Sequence, residues 1–355
     1  MQPILSNNYY VNFQEDAYMK LNAYIAKSNP SKIFILVDEN TNENCLPILL
    51  QTIETIKEIE IIEIEAGEEN KNLDTCTGVW QALTELGADR KSLLINLGGG
   101  VITDLGGFVA STFKRGISFV NIPTTLLSMV DASVGGKTGV DLGVLKNQIG
   151  LFSDPEMVLI DTQYLATVPE REIRSGLAEI IKYGLTYDVT IWEKIKNFNT
   201  LSLENISTLI HRSIEIKNEV VTEDPKEGGL RKVLNFGHTL GHAVESYFLE
   251  SEEKEKLTHG EAIAIGMITE CFISEKLLGF PLNEVALIKD ECLKIYNKVQ
   301  IDTKDYDAIL ELLIHDKKNV GGQVNFVLLS NYEKYKFDCK VDKALLIEAL
   351  NYYNS

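Results

Sequence analysis

A chain of 355 residues exceeds the usual size of one hydrophobic core, so two domains are expected, and 45% apolar with 24% charged residues suits a soluble globular protein. A formal net charge of −18 argues against nucleic acid or an anionic membrane as the main partner, because both require cationic surface, yet it leaves room for a small anionic substrate held by a few converging lysines and arginines. No stretch approaches the roughly 20 consecutive apolar residues that span a bilayer, and Met1-Gln2-Pro3-Ile4-Leu5-Ser6 lacks the basic and then apolar regions of a secretory leader, so a cytoplasmic location is expected.

In chain order, Lys32-Ile33-Phe34-Ile35-Leu36-Val37-Asp38 and the runs 60–64, 92–97, 118–122 and 157–161 read as strands. Several are nearly continuous apolar runs, the mark of parallel strands covered on both faces. They predict an α/β domain with a Rossmann-like parallel sheet over residues 1–165, an architecture that suits a nucleotide-binding domain. After Pro169 the pattern changes to helical period over 171–184, 203–221, 235–249, 259–278 and 283–298, which predicts a mainly α-helical domain over 166–355; it carries the candidate metal ligands Glu179, His238, His242 and His259, which would make it the metal-binding domain. Ser251-Glu252-Glu253-Lys254-Glu255-Lys256 reads as a solvated loop. The five cysteines are dispersed and never form a CxxC pair, so reduced and mostly buried thiols are expected.

Leu97-Gly98-Gly99-Gly100-Val101-Ile102-Thr103-Asp104 follows a strand and leads into a helix. Glycines there allow close backbone approach, and the helix N-terminus offers N–H groups to a pyrophosphate, but a tight strand-to-helix connection would look the same. Asp38 and Pro123-Thr124-Thr125 also close strands, where an α/β sheet meets its ligand. Thr124 and Thr125 suit phosphate or ribose oxygens, and either serves equally well as a helix cap. In Asp131-Ala132-Ser133-Val134-Gly135-Gly136-Lys137-Thr138-Gly139 the P-loop spacing is absent, which argues against ATP hydrolysis. Lys137, Lys146 and Asn147, with Arg115 upstream, instead suit a phosphate or carboxylate.

His238 and His242 stand at i and i+4 on one predicted helix face, and His259 opens the next helix. A catalytic zinc takes three protein ligands and keeps an open position. Glu179, in an apolar helix one turn from Lys182, is the natural carboxylate candidate; a buried Glu179–Lys182 ion pair without metal is the alternative.

Those segments, together with Gly176-Leu177-Ala178-Glu179-Ile180-Ile181-Lys182-Tyr183-Gly184, Leu234-Asn235-Phe236-Gly237-His238-Thr239-Leu240-Gly241-His242 and His259-Gly260-Glu261, resemble the 3-dehydroquinate synthases of the sugar phosphate cyclase superfamily over nearly the whole chain. The resemblance implies Glu179, His238 and His259 as zinc ligands, with cobalt as the other metal, and places His242 beside the substrate. It implies Lys137, Lys146, Asn147, Lys182, Lys217, Arg231, Asn235 and Lys317 or its neighbour Lys318 in the substrate pocket. Asp131 would be an active-site acid, and Arg115 would reach the phosphate from the partner in a homodimer. NAD contacts would come from Asp38, Glu68, Lys71, Gly99, Gly100, Asp104, Thr124 and Thr125.

The implied substrate is 3-deoxy-arabino-heptulosonate 7-phosphate, an intermediate on the route to aromatic amino acids. The implied steps are transient oxidation by NAD, phosphate elimination, reduction, ring opening and intramolecular aldol closure. Where the family shows Gly-Lys-Asn this chain has Leu145-Lys146-Asn147, and the segment between His242 and His259 is longer than usual. Three rivals are a cyclase acting on a neutral sugar phosphate, a metal-dependent polyol dehydrogenase and a non-enzymatic nucleotide-binding module, the last of which would have no use for a zinc triad. Arg231 and Asn235, fit for a substrate carboxylate, favour dehydroquinate over the first, and the phosphate-handling lysines argue against the second.

Overall fold

The computed structural model describes residues 1–55, 57–143, 145–196, 203–225, 227–313 and 324–355, without the side chains of 203 and 204. The chain divides into two compact units, Met1–Ile173 with Ile210–Asn218, and Arg174–Leu209 with Glu219–Ser355. The first begins with β1 (Ile4–Ser6), β2 (Tyr9–Phe13), α1 (Gln14–Ser28), β3 (Ile33–Asp38), α2 (Glu39–Asn44), α3 (Leu46–Thr52) and β4 (Ile59–Ile64). It continues through α4 (Leu73–Glu85), β5 (Leu93–Gly98), α5 (Gly100–Thr112), β6 (Ser118–Pro123), β7 (Lys137–Leu142), β8 (Leu145–Phe152) and β9 (Met157–Ile160).

Seven strands form one sheet in the order β1-β2-β9-β6-β5-β3-β4, parallel throughout except for the β1–β2 pair. All six residues of β5, and all of β3 up to Asp38, are buried, which is why both read as unbroken apolar runs. At the edge, β4 alternates more clearly between buried and exposed positions. Phe34, Leu36 and Leu94 of the sheet pack with Cys76, Val79 and Leu83 of α4 and with Ile102, Leu105 and Val109 of α5. The sheet thereby sets the N-terminus of α5 at the carboxyl end of β5, where α/β folds receive ligands.

Inside this packing lies a polar pair. Asn96 of β5 and Asn121 of β6 stand in register, and Asn96 donates to Asn121 at 2.9 Å. The α5 backbone presses directly on them, since a Cβ at Gly106 would lie 2.0 Å from Asn96 Oδ1. Gly106→Ala should therefore lower stability by about 1–3 kcal/mol through overpacking, read as an earlier denaturant midpoint. An unchanged midpoint would show that α5 can lift from the sheet at no cost.

β7 and β8 form a separate antiparallel hairpin that is not among the strands expected from apolar runs. Its glycines explain the difference. Gly139 and Gly150 face each other in register, and a Cβ on either would meet backbone oxygen of the opposite strand at 2.6 or 2.3 Å. The glycines let two strands cross closely and erase the alternating pattern that announces a strand.

The second unit is built from α6 (Glu170–Thr186), α7 (Val189–Ile195), the two ends of α8 (Leu203–Glu223), whose stretch Ile210–Asn218 belongs to the first unit, α9 (His238–Glu250), α10 (His259–Leu278), α11 (Leu282–Tyr296), α12 (Tyr306–Leu312), the hairpin β10 (Phe326–Asn331) and β11 (Lys334–Cys339), and α13 (Lys343–Asn354). α10 is the centre of this unit, apolar around most of its girth and packed by α9, α11, α13 and β10. Two glycines set how near its neighbours come. A Cβ at Gly260 would lie 2.2 Å from the Ser175 carbonyl oxygen of α6, and one at Gly266 only 1.8 Å from the Gly237 carbonyl oxygen at the head of α9. These approaches draw the first turns of α9 and α10 onto α6. All five cysteines are free and buried, and among the described residues no helix is long and apolar enough to cross a membrane.

Candidate active site

α6, α9 and α10 each deliver one group to a common point. Glu179 is completely buried, and its Oε1 lies 3.1 Å from His238 Nε2 and 3.3 Å from His259 Nε2. Two ligand atoms bound about 2.1 Å from one tetrahedral centre stand roughly 3.4 Å apart, so these separations match a shared divalent metal. The imidazoles are oriented for it. His238 Nδ1 lies 3.0 Å from the Phe236 carbonyl oxygen and His259 Nδ1 lies 3.3 Å from Glu245 Oε2, outer partners that leave each Nε2 directed inward. Ligand atoms of His238, His242 and His259 also come within 4.8 Å of one another, so geometry alone admits His242 as well.

The other oxygen of Glu179 pairs with Lys182, whose Nζ also donates to the Leu234 carbonyl at 2.9 Å. The two sequence alternatives for Glu179, metal ligand and buried ion pair, thus use different oxygens of one carboxylate. Burial pushes this carboxyl up, but Lys182 and the two imidazoles outweigh it and hold it well below its ordinary value. Burial disfavours the His259 imidazolium, and Glu245 with Glu179 more than offsets this, raising His259 to about 9.

The loop before His259 is more fixed than its composition suggested. Lys254 bridges Asp302 and buried Asp305, each at 2.8 Å, while Glu252, Glu253, Glu255 and Lys256 remain exposed. Thr258 then caps α10 in a reciprocal arrangement with Glu261. At the head of α9, the buried carboxylate of Glu270 accepts the N–H of Gly237 at 2.6 Å, which secures the turn that presents His238. Arg231 and Asn235 lie four residues apart on the helical turn Leu230–Asn235. Arg231 is 2% exposed and donates to the Pro225 carbonyl, and Asn235 donates to Glu227 Oε1 at 2.7 Å.

In the first unit, residues assigned by resemblance to different ligands meet in one network. Lys71, 4% exposed, reaches Asp104 Oδ2 at 2.6 Å and Asn147 Oδ1 at 2.7 Å, while Lys146 pairs with Glu68 at 3.3 Å. Asn147 has a left-handed backbone, φ 51°, and its N–H donates to the buried Asp141 at 2.6 Å. Burial disfavours the Lys71 ammonium, but Asp104, Glu68 and Asp141 together hold its pKa above the ordinary value.

Lys217 of α8 pairs with Asp131 Oδ1 at 2.9 Å, on a wide turn closed by the Ser133 N–H to the Ser128 carbonyl. Lys137 opens β7 with its side chain exposed, and Arg115 lies in an exposed turn where Lys114, Arg115 and Gly116 all have positive φ. Gly99 caps α5 and Gly100 begins it. Asp38 closes β3 and caps α2 through Thr41, and Thr125 caps the turn after β6 through Ser128, so each of these two also does the bland job of a cap. Thr124 is buried and donates its N–H to the Gly98 carbonyl. Lys317 and Lys318 lie outside the described residues.

Family models give this arrangement its context. The model described as 3-dehydroquinate synthase N-terminal matches residues 61–175, and that described as 3-dehydroquinate synthase C-terminal matches residues 176–319. The chain belongs to the 3-dehydroquinate synthase family. It is therefore an enzyme, and the two matches meet next to the division between its compact units. A 3-dehydroquinate synthase of Parabacteroides distasonis is 42% identical over 341 residues, covering 96% of each chain. The crystal structure of 2-deoxy-scyllo-inosose synthase complexed with carbaglucose-6-phosphate, NAD+ and Co2+ superposes with a TM-score of 0.86 at 27% identity over 99% of both chains. That of 2-epi-5-epi-valiolone synthase from Streptomyces hygroscopicus subsp. jinggangensis 5008, with NAD+ and Zn2+ bound, gives 0.84 at 26% identity over 100% of this chain and 99% of the other.

Four carboxylates beside these groups escaped the sequence reading: Asp141, Glu227, Glu245 and Glu270. Glu245 had a signal, because His238, His242 and Glu245 follow i, i+4, i+7 on one helix face. Asp141 and Glu270 had none, since each accepts a backbone N–H, which no side-chain pattern announces.

Proposed function

We propose that this chain is an NAD- and zinc-dependent 3-dehydroquinate synthase that converts 3-deoxy-arabino-heptulosonate 7-phosphate to 3-dehydroquinate and phosphate, with cobalt as an alternative metal and a homodimer as the working form. The observation that carries the metal part is the convergence of Glu179, His238 and His259, at 3.1 and 3.3 Å, with both outer imidazole nitrogens already engaged. Bound there, zinc supplies a Lewis acid, and NAD+ supplies a reversible hydride acceptor.

The chain's own residues do the holding and orienting. Glu179 brings the negative charge that favours a divalent cation, and its Lys182 partner keeps the carboxylate ionised at the edge of the site. The α5 N-terminus, at Gly99 and Gly100, offers backbone N–H groups to a pyrophosphate, Thr124 and Thr125 suit phosphate or ribose oxygens through their hydroxyls, and Asp38, Glu68, Lys71 and Asp104 complete the dinucleotide contacts. Lys137, Lys146 and Asn147, with Arg115 supplied by the partner, hold the phosphate charge as it separates. Arg231 and Asn235 take the substrate carboxylate, a bidentate cation backed by an amide. Asp131, paired with Lys217, takes the part of the active-site acid, and His242 flanks the metal ligands, its ring centre 5.1 Å from that of His238.

The test incubates purified protein with NAD+, zinc and the heptulosonate phosphate and follows phosphate and NADH together. Phosphate release without NADH accumulation is expected. NADH accumulation without phosphate release would assign the chain to the polyol dehydrogenases. Turnover of sedoheptulose 7-phosphate or glucose 6-phosphate in preference to the heptulosonate would remove the role given to Arg231 and Asn235.

A further inference from the structure

Resting on the metal-site reading above, we infer that Glu245 is a positioning residue that orients His259 and sets how tightly the site holds its metal. Glu245 is 5% exposed on α9, and its Oε2 lies 3.3 Å from His259 Nδ1. The opposite ring nitrogen, Nε2, faces Glu179 Oε1. A proton on Nδ1, donated to Glu245, leaves the Nε2 lone pair directed at the point that Glu179 and His238 share. The two imidazoles are supported differently. His238 lies against a neutral backbone carbonyl, which fixes ring orientation and tautomer. His259 lies against a carboxylate, which does both and also makes the imidazole a stronger electron donor to a cation.

The need is greater at His259. It is the first residue of α10, follows a loop, and keeps 22% of its side chain exposed, against 11% for His238. Its ring therefore depends on a partner from another element, and α9 supplies one seven residues along the face that carries His238. One helix thus contributes a ligand and the support for a ligand carried by its neighbour.

The test uses the whole chain, stripped of metal and titrated with zinc against a chromophoric chelator, and separately loaded with cobalt for its visible absorption spectrum. Glu245→Ala is expected to raise the zinc Kd by about 10- to 100-fold, and the isosteric Glu245→Gln by about tenfold, with the cobalt bands displaced in both. The cobalt spectrum reports ligand geometry, which a merely structural role would leave in place. If Glu245→Ala fails to fold, Glu245→Gln carries the comparison. Zinc affinities within about twofold of the parent and an unmoved cobalt spectrum, alongside loss of metal in His259→Ala, would overturn this inference and leave the metal-site reading standing. If His259→Ala also kept zinc at the parent's affinity, the ligand assignment and the role of Glu245 would fall together.

Discussion

Glu179→Gln is expected to lose retained metal and to cut turnover by more than about 10³-fold, beyond what the loss of one preorganised hydrogen-bond donor costs. The substitution keeps the shape of the side chain and removes its charge. Two consequences follow inside the second unit. The cation site loses its anionic ligand, and Lys182, 1% exposed, loses its buried counter-charge. Breaking a buried pair from one side costs about 3–5 kcal/mol, so thermal stability should fall as well. Metal content of the purified variant and its denaturation midpoint separate the two effects. His242→Gln supplies the contrast, since it should keep the metal and lose turnover. Metal lost from His242→Gln and kept by Glu179→Gln would instead favour the three-histidine set that the geometry also admits.

Gly266→Ala should be comparably damaging without touching a ligand. The new methyl carbon would lie 1.8 Å from the Gly237 carbonyl oxygen and 2.9 Å from the Gly241 nitrogen, both backbone atoms that no side-chain rotation can move away. Overpacking costs about 1–3 kcal/mol where side chains can yield, and more where only backbone can. The displaced segment begins α9, and its next residue is His238. A lower denaturation midpoint together with substoichiometric zinc is expected. Parent-like values for both would mean that α9 and α10 separate without disturbing His238.

Much of this architecture is legible from residue order alone, for physical reasons that also mark where reading stops. The five predicted strands 32–38, 60–64, 92–97, 118–122 and 157–161 coincide with β3, β4, β5, β6 and β9, because burial demands apolar runs there. The β7–β8 hairpin escaped because Gly139 and Gly150 replace side-chain alternation with backbone contact. Capping and ligand contact ask for the same residue types, so Thr125 and Asp38 could not be divided between those roles from sequence. The Ser251–Lys256 segment is indeed mostly exposed, but Lys254 is tied to residues about 50 positions away, a pairing no local pattern announces. Spacing brought the three histidines together; which of them would join Glu179 as ligands came from family resemblance.

The glycine contacts that draw α10 onto its neighbours have a consequence for how this protein tolerates change. A metal ligand can be exchanged for another donor and still bind something, since carboxylate, imidazole and thiolate all serve as ligands. Gly260 and Gly266 have no such substitutes, because every other residue is larger and the atoms they face are backbone. The least replaceable positions around this centre are therefore ones that contribute no chemistry, and damage there would register as failure of a site whose reactive groups are all still present.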